Sequence, residues 1–451
     1  MDLSQILAII IFGLMFAVII SEKLPRHYPA LIGAVLMIGV VFLAVMHSPE
    51  TVSKVLNLGQ LIDTTFWFPG DKHVESLGVN WQTIVFIGGM MVMVGGMERV
   101  GFFRWICLTA ARFVGCRVIP LLMAFMVISG FLSMFIDSIT VLLFLAIVTI
   151  ELARLLKFDP VPVIVAEIFA ANVGGAATMS GDPPNIIIGT ALGYNFFDFL
   201  MNTGIIAWIC MAFALVYFWF IFRKSLKQDT SPAEMMKVCP MPSSAITDKK
   251  LFYVDTGIFI FIVALIVTHA ESGLSVAAIG IIAAVLTLVS DTKHLKPILS
   301  AVNWQTLLFF VGLFICVGGL EETEVLKKLA DMIGEVSGGS THVAVPMILW
   351  ISAFASGIVD NIPFAATMVP VIKELAQFGG IALPTLAWAL ALGTDIGGNA
   401  TPIGASANVV GTAVAQKEGY PISWGRFIKY ALPPMIIVVG LCNLLLIIRY
   451  A

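Results

Sequence analysis

Apolar runs and short polar connections alternate along the chain. The runs fall at about residues 4 to 21, 29 to 46, 82 to 97, 102 to 118, 119 to 150, 161 to 193, 204 to 222, 252 to 269, 273 to 290, 304 to 320, 342 to 371, 382 to 415 and 430 to 449. A spanning helix needs about 20 apolar residues, so the chain has room for about ten to twelve crossings. Residues 4 to 21 predict the first of them. The longest runs, 119–150, 161–193, 342–371 and 382–415, exceed one span and carry polar or helix-breaking residues in their middles.

The polar connections set an orientation. The stretch Arg223 to Lys250 carries six basic residues and predicts a cytoplasmic linker between two halves. Residues 21–26, the arginines at 99, 104, 112 and 117, Arg154 with Lys157, and residues 291–296 and 425–429 then share that face, as the positive-inside rule requires. Residues 48–80, 194–202 and 270–272 face outward. Lys327 and Lys328 are exceptions, softened by Glu322 and Glu324.

The two halves repeat. Asn80-Trp81-Gln82-Thr83 recurs as Asn303-Trp304-Gln305-Thr306, 223 residues later. The same offset carries Gly95-Gly96 onto Gly318-Gly319, Ser129 onto Ser352, Ser133 onto Ser356, Asp137 onto Asp360, Gly174-Gly175 onto Gly397-Gly398, Thr178 onto Thr401 and Asn185 onto Asn408. A gapless correspondence of this length means two structural repeats. With the side assignments above, Asn80 opens a helix running inward and Asn303 one running outward, so the repeats are inverted. Secondary transporters with this arrangement place their sites near the midplane.

Two segments in each repeat break the spanning pattern. Ser129–Thr140 and Ser352–Pro363 put Ser, Asp and Ser or Asn amid apolar residues, where a straight helix would carry a charge into lipid at a cost of about 2.5–3.5 kcal/mol. A re-entrant hairpin that buries its Asp-Ser or Asp-Asn tip avoids this. Ala171–Asn185 and Thr394–Asn408 hold Gly-Gly, Pro-Pro and Thr-Pro, which predict broken helices. Unwound carbonyls with Ser, Thr and Asn oxygens can coordinate Na⁺, and the half-helix that follows offers its N-terminus to an anion. A second reading holds for the acids. Asp137, Asp360 and Asp395 can be helix or hairpin caps, and Asp182 before Pro-Pro an N-cap. Glu98 and Glu321 end apolar runs and can be simply solvated; Glu167 lies within one and can carry a proton.

Composition excludes other classes. The chain is 59% hydrophobic and 12% charged, with mean hydropathy +1.00 and net charge −3, so neither a soluble domain nor a nucleic-acid partner is expected. Six scattered cysteines, without CxxC spacing, are expected as small core residues rather than disulfides or metal ligands. All six histidines sit in or beside polar connections, which leaves no intramembrane Ser-His pair or zinc helix. No Walker A sequence is present, so the chain is not expected to be an enzyme or a pump driven by its own ATP site. A channel remains open, but broken helices about a midplane site favour a carrier.

The segments ANVGGAATMSGDPPNIIIGTALG (171–193), SGIVDNIPFAA (356–366), GTDIGGNATPIGASANVV (393–410) and PISWGRFIKYALP (421–433) resemble the ion transporter superfamily, and within it the permeases that group the arsenite efflux protein ArsB with the P protein. The resemblance spans nearly the whole chain. It implies an all-α polytopic membrane protein, a homodimer of elevator-type carriers whose hairpins and broken helices form the moving domain. The organisation expected is scaffold helices at 1–79, a first repeat at 80–222 with hairpin 119–150 and broken helix 161–193, the linker 223–250, scaffold helices at 251–302, and a second repeat at 303–451 with hairpin 342–373 and broken helix 382–415. It further implies ion- or substrate-binding roles for Ser133, Asp137, Ser138 and Thr140, for Ser356, Asp360 and Asn361, for Asn172, Gly174, Thr178, Asp182 and Asn185, and for Asp395, Gly397, Asn399, Thr401, Ser406 and Asn408. No cofactor is expected beyond Na⁺ or H⁺ as coupling ion. The leading function is transport of a small inorganic ion or oxyanion, arsenite-efflux-like, in a bacterial or archaeal cytoplasmic membrane, with a cytoplasmic ATPase subunit as an optional partner. The alternative is a Na⁺/H⁺ antiporter, and the third a sodium-coupled carboxylate symporter or channel. The related dicarboxylate symporters carry Ser-Asn-Thr tips, which this chain replaces with Asp-Ser and Asp-Asn.

Overall fold

The computed structural model describes residues 1–21, 23–69, 78–226 and 232–450, and all regular structure among them is helical. Glu22, residues 70–77 of the outer connection and 227–231 of the linker lie outside the described residues. The helices that matter for the site are α1 (Leu3–Ile20), α2 (His27–Leu36, extended to Val45 by wider π-helical turns), α3 (Trp81–Arg99), α4 (Phe102–Phe113), α5 (Val118–Leu132), α6 (Ser138–Leu156), α7 (Val161–Gly175), α8 (Pro183–Leu192) and α9 (Ile205–Phe222). In the second half come α10 (Lys249–Val267), α11 (Val276–Ser290), α12 (Trp304–Glu322), α13 (Val325–Ser337), α14 (Thr341–Ile358), α15 (Asn361–Gly379), α16 (Leu383–Gly397), α17 (Ser406–Lys417) and α18 (Trp424–Tyr450).

Among the described residues nine helices are long and apolar enough to cross a membrane, or ten if α11 is joined to the helical stretch bent from it by 94°. The expected ten to twelve is met only at its lower end, and only if that bent pair is one span. The run at 102–118 yields only the 12-residue amphipathic α4, and the runs at 161–193 and 382–415 each divide into two half-length helices.

Local sequence explains where the helices begin. Asn80 accepts the Thr83 N–H at 3.1 Å and Asn303 the Thr306 N–H at 3.2 Å, so the duplicated Asn-Trp-Gln-Thr is an N-cap. α5 and α6 form the first hairpin and α14 and α15 the second, each turning just before an aspartate cap. Asp137 accepts the Ile139 and Thr140 N–H groups, and Asp360 the Ile362 N–H at 3.1 Å.

Packing follows the same duplication. α3 lies along α11 and α12 along α2, so each of these two helices packs on a helix of the other half of the chain. Both crossings are close enough to require glycine. A Cβ on Gly89 would meet the Gly280 carbonyl oxygen at 2.0 Å, and one on Gly312 the Ala30 backbone at 2.6 Å. Likewise α7 packs on α5 and α16 on α14, while α17 lies against α6 and α8 against α15.

One expectation about cysteine fails. Cys107, Cys210, Cys316 and Cys442 are free and buried, as core residues should be, but Cys116 and Cys239 form a disulfide. A sequence separation of 123 hid the pairing. It exists because the linker folds back on α4, where Arg112 Nη1 donates to the Cys239 carbonyl at 3.0 Å.

Candidate functional site

The two broken helices are held open by one device used twice. Between α7 and α8, Asn185 Nδ2 donates to the Gly175 and Thr178 carbonyls, both at 3.0 Å. Between α16 and α17, Asn408 Nδ2 donates to the Gly398 and Thr401 carbonyls, both at 2.7 Å. These carbonyls lost their helical donors when the chain unwound, and an amide from the next half-helix replaces them. Each break is also tied to its hairpin. The Thr178 hydroxyl donates to the Met134 carbonyl, and the Thr401 hydroxyl to the Gly357 carbonyl at 2.6 Å. Gly174 and Gly397 serve packing: a Cβ on the first would stand 2.1 Å from the Gly130 oxygen, and on the second 2.3 Å from the Ala353 Cα.

The four segments then converge on carboxylates. Asp182 begins α8 without capping it. Its Oδ1 instead accepts the Ser138 hydroxyl from the first hairpin, and its Oδ2 accepts Asn361 Nδ2 from the second at 2.7 Å. One buried carboxylate thus joins both hairpin tips, and the simple N-cap reading of Asp182 is corrected. Asp360 accepts the Ser406 hydroxyl at 2.8 Å and so ties the second hairpin to α17. Asn172 Nδ2 donates to Asn399 Oδ1 and Asn408 Oδ1, each at 2.9 Å, and joins α7 to the second break. Asp137 and Thr140 are not drawn into this network by hydrogen bonding: the Thr140 hydroxyl donates to Asp137 at 2.9 Å within their own turn. The Ser356 hydroxyl donates to the Thr394 carbonyl at 2.6 Å, while Ser133 keeps a buried hydroxyl without a partner.

Asp395, Asn172 and Asn185 carry the chemistry left over. All three are fully buried. Both Asp395 carboxylate oxygens, Asn172 Oδ1 and Asn185 Oδ1 have no hydrogen-bond donor. Asp182, Asn185 and Asn361 lie close enough to Asp395 to act on it electrostatically. Buried oxygens that only accept need a donor or a cation, and the Asp395 carboxylate suits a hard cation such as Na⁺ or a proton. No cluster of His, Cys, Asp and Glu suited to a metal ion occurs among the described residues. Glu167 is a second buried acid. It accepts the Thr149 hydroxyl through one oxygen and leaves the other without a partner. Glu98, by contrast, is exposed at the end of α3.

Sequence reasoning missed Arg26. It lies in the connection between α1 and α2, outside the four signature segments, yet its guanidinium pairs with Asp360 and donates to the Ser406 hydroxyl at 3.0 Å. The Asp360 side chain is 2% exposed and that of Arg26 26%. In the sequence it is one basic residue of Ser21–Arg26, a stretch that signals only orientation. A cavity of about 480 Å³ opens beside it, lined also by Lys23, His27, Gln305, Thr306 and Ser406.

Polar networks buried inside discontinuous helices, within an all-helical membrane fold, are the interior of a membrane transport protein. Residues 16–393 match the family model described as citrate transporter, and the chain belongs to that family, CitMHS, of the ion transporter superfamily. It is 32% identical over 448 residues to an uncharacterized transporter of Mycobacterium tuberculosis, covering 99% of both chains. It is 29% identical over 461 residues to the P protein of Homo sapiens, covering 83% of this chain and 55% of that one. Among solved structures it is similar in fold to the Alcanivorax borkumensis YdaH transporter, with TM-score 0.59, 14% identity, and 99% and 97% of the two chains covered.

Proposed function

We propose that the chain is a secondary carrier that moves a small oxyanion or carboxylate by alternating access, coupled to Na⁺ or H⁺. The observation that carries this reading is the Asp395 carboxylate, fully buried two residues before the second break with no donor on either oxygen, and with Asp182, Asn185 and Asn361 close by. A coupling cation bound there would offset the negative charge of an approaching anion. Citrate, the substrate in the family's description, and arsenite, the candidate read from the sequence, both fall within the substrate class.

The carrier geometry is two inverted repeats working as an elevator within a homodimer. The recurrence of packing and hydrogen bonds at one offset, Gly89 and Gly312, Thr178 and Thr401, Asn185 and Asn408, supports the repeats; the elevator and the homodimer follow from the resemblance. α5–α9 and α14–α18 would travel together against a scaffold of α1–α3 and α10–α12.

The acids also favour a second reading, Na⁺/H⁺ antiport with no anion. Flux in proteoliposomes under imposed Na⁺ and pH gradients, with citrate, arsenite or neither, separates the two. Anion uptake that follows one of the gradients is expected. Na⁺ moving against protons with no anion present would replace the proposal with the antiporter, and no flux of any kind would remove both.

A further inference from the structure

Among the described residues Arg26 is the cation paired with a carboxylate of the buried network, and its neighbourhood is asymmetric in a way the duplication does not explain. The connection before α2 has a counterpart before α11, because α2 packs on α12 as α11 packs on α3. The residue before α2 is Arg26; the residue before α11 is Ser275, which caps its own helix by accepting the Ala278 N–H at 3.2 Å. The hairpin aspartates differ in the same sense. Asp137 accepts only from Ile139 and Thr140 of its own turn, whereas Asp360 also accepts from Arg26 and Ser406. Among the described residues a guanidinium thus pairs with Asp360 and none pairs with Asp137.

Arg26 also stands at a boundary. Together with Ser406 it lines the 480 Å³ cavity, and Asp360 does not. Lys23 and His27 add basic side chains to the wall, and among the described residues no carboxylate lines it. A cavity with this lining attracts an anion, and a guanidinium is suited to bind a carboxylate or oxyanion through paired N–H groups. The Asp360 carboxylate is itself such a group, held by Arg26 and by the Ser406 hydroxyl.

We propose that this cavity is an anion-binding site in which Arg26 recognises a small carboxylate or oxyanion, and that Asp360 is an internal competitor occupying Arg26 when no anion is bound. An arriving anion takes the guanidinium and the Ser406 hydroxyl from Asp360. Because Arg26 belongs to the connection between α1 and α2 while Asp360 and Ser406 belong to the second hairpin and broken helix, the exchange also unties those two parts of the molecule. The inference deepens the carrier reading above and rests on it, by assigning the residue that selects an anionic substrate.

The test is binding of citrate, inorganic phosphate and chloride to the purified full chain, followed by the shift of its thermal unfolding midpoint, alongside flux of the same anions in proteoliposomes. Wild type should bind at least one of the three. Asp360→Asn removes the competitor; if Asp360 holds Arg26 in nine molecules of ten, apparent affinity tightens about tenfold. Arg26→Gln should abolish binding, and Arg26→Lys should retain it more weakly. Since Arg26→Gln strands a buried carboxylate, Arg26→Gln with Asp360→Asn serves as the folded control: it should regain wild-type stability and still bind no anion. Unchanged binding and flux in that double variant would overturn the site while leaving the carrier reading intact. So would Asp360→Asn weakening binding as much as Arg26→Gln does. A wild type that binds none of the three overturns the site as well, and the carrier reading then depends on whether any gradient-driven flux remains.

Discussion

Replacing Asn408 with alanine removes a brace whose strength can be worked from its bonds. The amide donates to two carbonyls at 2.7 Å and accepts from Asn172 at 2.9 Å. Each bond is worth about 0.5–1.5 kcal/mol net. The Thr401 carbonyl keeps a second donor, the Gly404 N–H at 3.2 Å, so the loss should come to about 2–3 kcal/mol. Asn185→Ala removes two donated bonds at 3.0 Å, and its Oδ1 accepts none. That variant should lose about 1–2 kcal/mol. Thermal unfolding of both in the same detergent should thus rank Asn408→Ala below Asn185→Ala by about 1 kcal/mol. The cation response should rank them the other way. Asn185 offers a free oxygen beside Asp395, so Asn185→Ala should blunt stabilisation by whichever of Na⁺ or protons stabilises the wild type, and Asn408→Ala should preserve it. Equal destabilisation, or a cation response lost only in Asn408→Ala, would refute the idea that the two amides share a structural task and differ in a functional one.

Asp395→Asn should fold normally, because an amide brings its own donors to a place where two carboxylate oxygens have none; flux should become insensitive to the coupling gradient, as transport assays under imposed gradients would reveal. Gly174→Ala puts a Cβ 2.1 Å from a backbone oxygen, and should cost more than the about 1–3 kcal/mol usual for overpacking, read as lost expression or a large fall in melting temperature. Gly257→Ala, in open space, should melt within a degree or two of wild type. Mass spectrometry of alkylated, unreduced protein should recover a Cys116–Cys239 linked peptide and four labelled thiols at Cys107, Cys210, Cys316 and Cys442.

Much of this interior was legible because it is written twice. A lone Gly-Gly or Thr-Pro kinks many membrane helices, but the same pattern at one offset marked both breaks, although Asn185 and Asn408 were expected there as ion ligands and not as braces. The helix breaks before Asp137 and Asp360 were legible from cost, because a carboxylate could not lie in lipid. Illegible were contacts between segments far apart in sequence with no counterpart in the other half. Arg26 meets Asp360 across 334 residues. Asp182 was expected as a helix start or an ion-binding residue, and neither reading gives a sign that Ser138 and Asn361 will claim its oxygens. The disulfide failed for the same reason, because Cys239 lies in a polar linker whose return onto α4 leaves no periodic trace.

The exchange of partners between halves, α2 with α12 and α3 with α11, constrains how the protein is made. When α2 leaves the ribosome, the helix that must cover its Ala30 face has not been synthesised, and it does not arrive until Trp304–Glu322 is complete. The nascent chain therefore waits in the bilayer with that groove open, and the first half cannot settle alone. Severing the chain in the linker and expressing only the N-terminal piece should give an aggregation-prone fragment, whereas supplying both pieces together gives each its missing neighbour. Biogenesis here is a late, mutual closure rather than a sequence of finished parts.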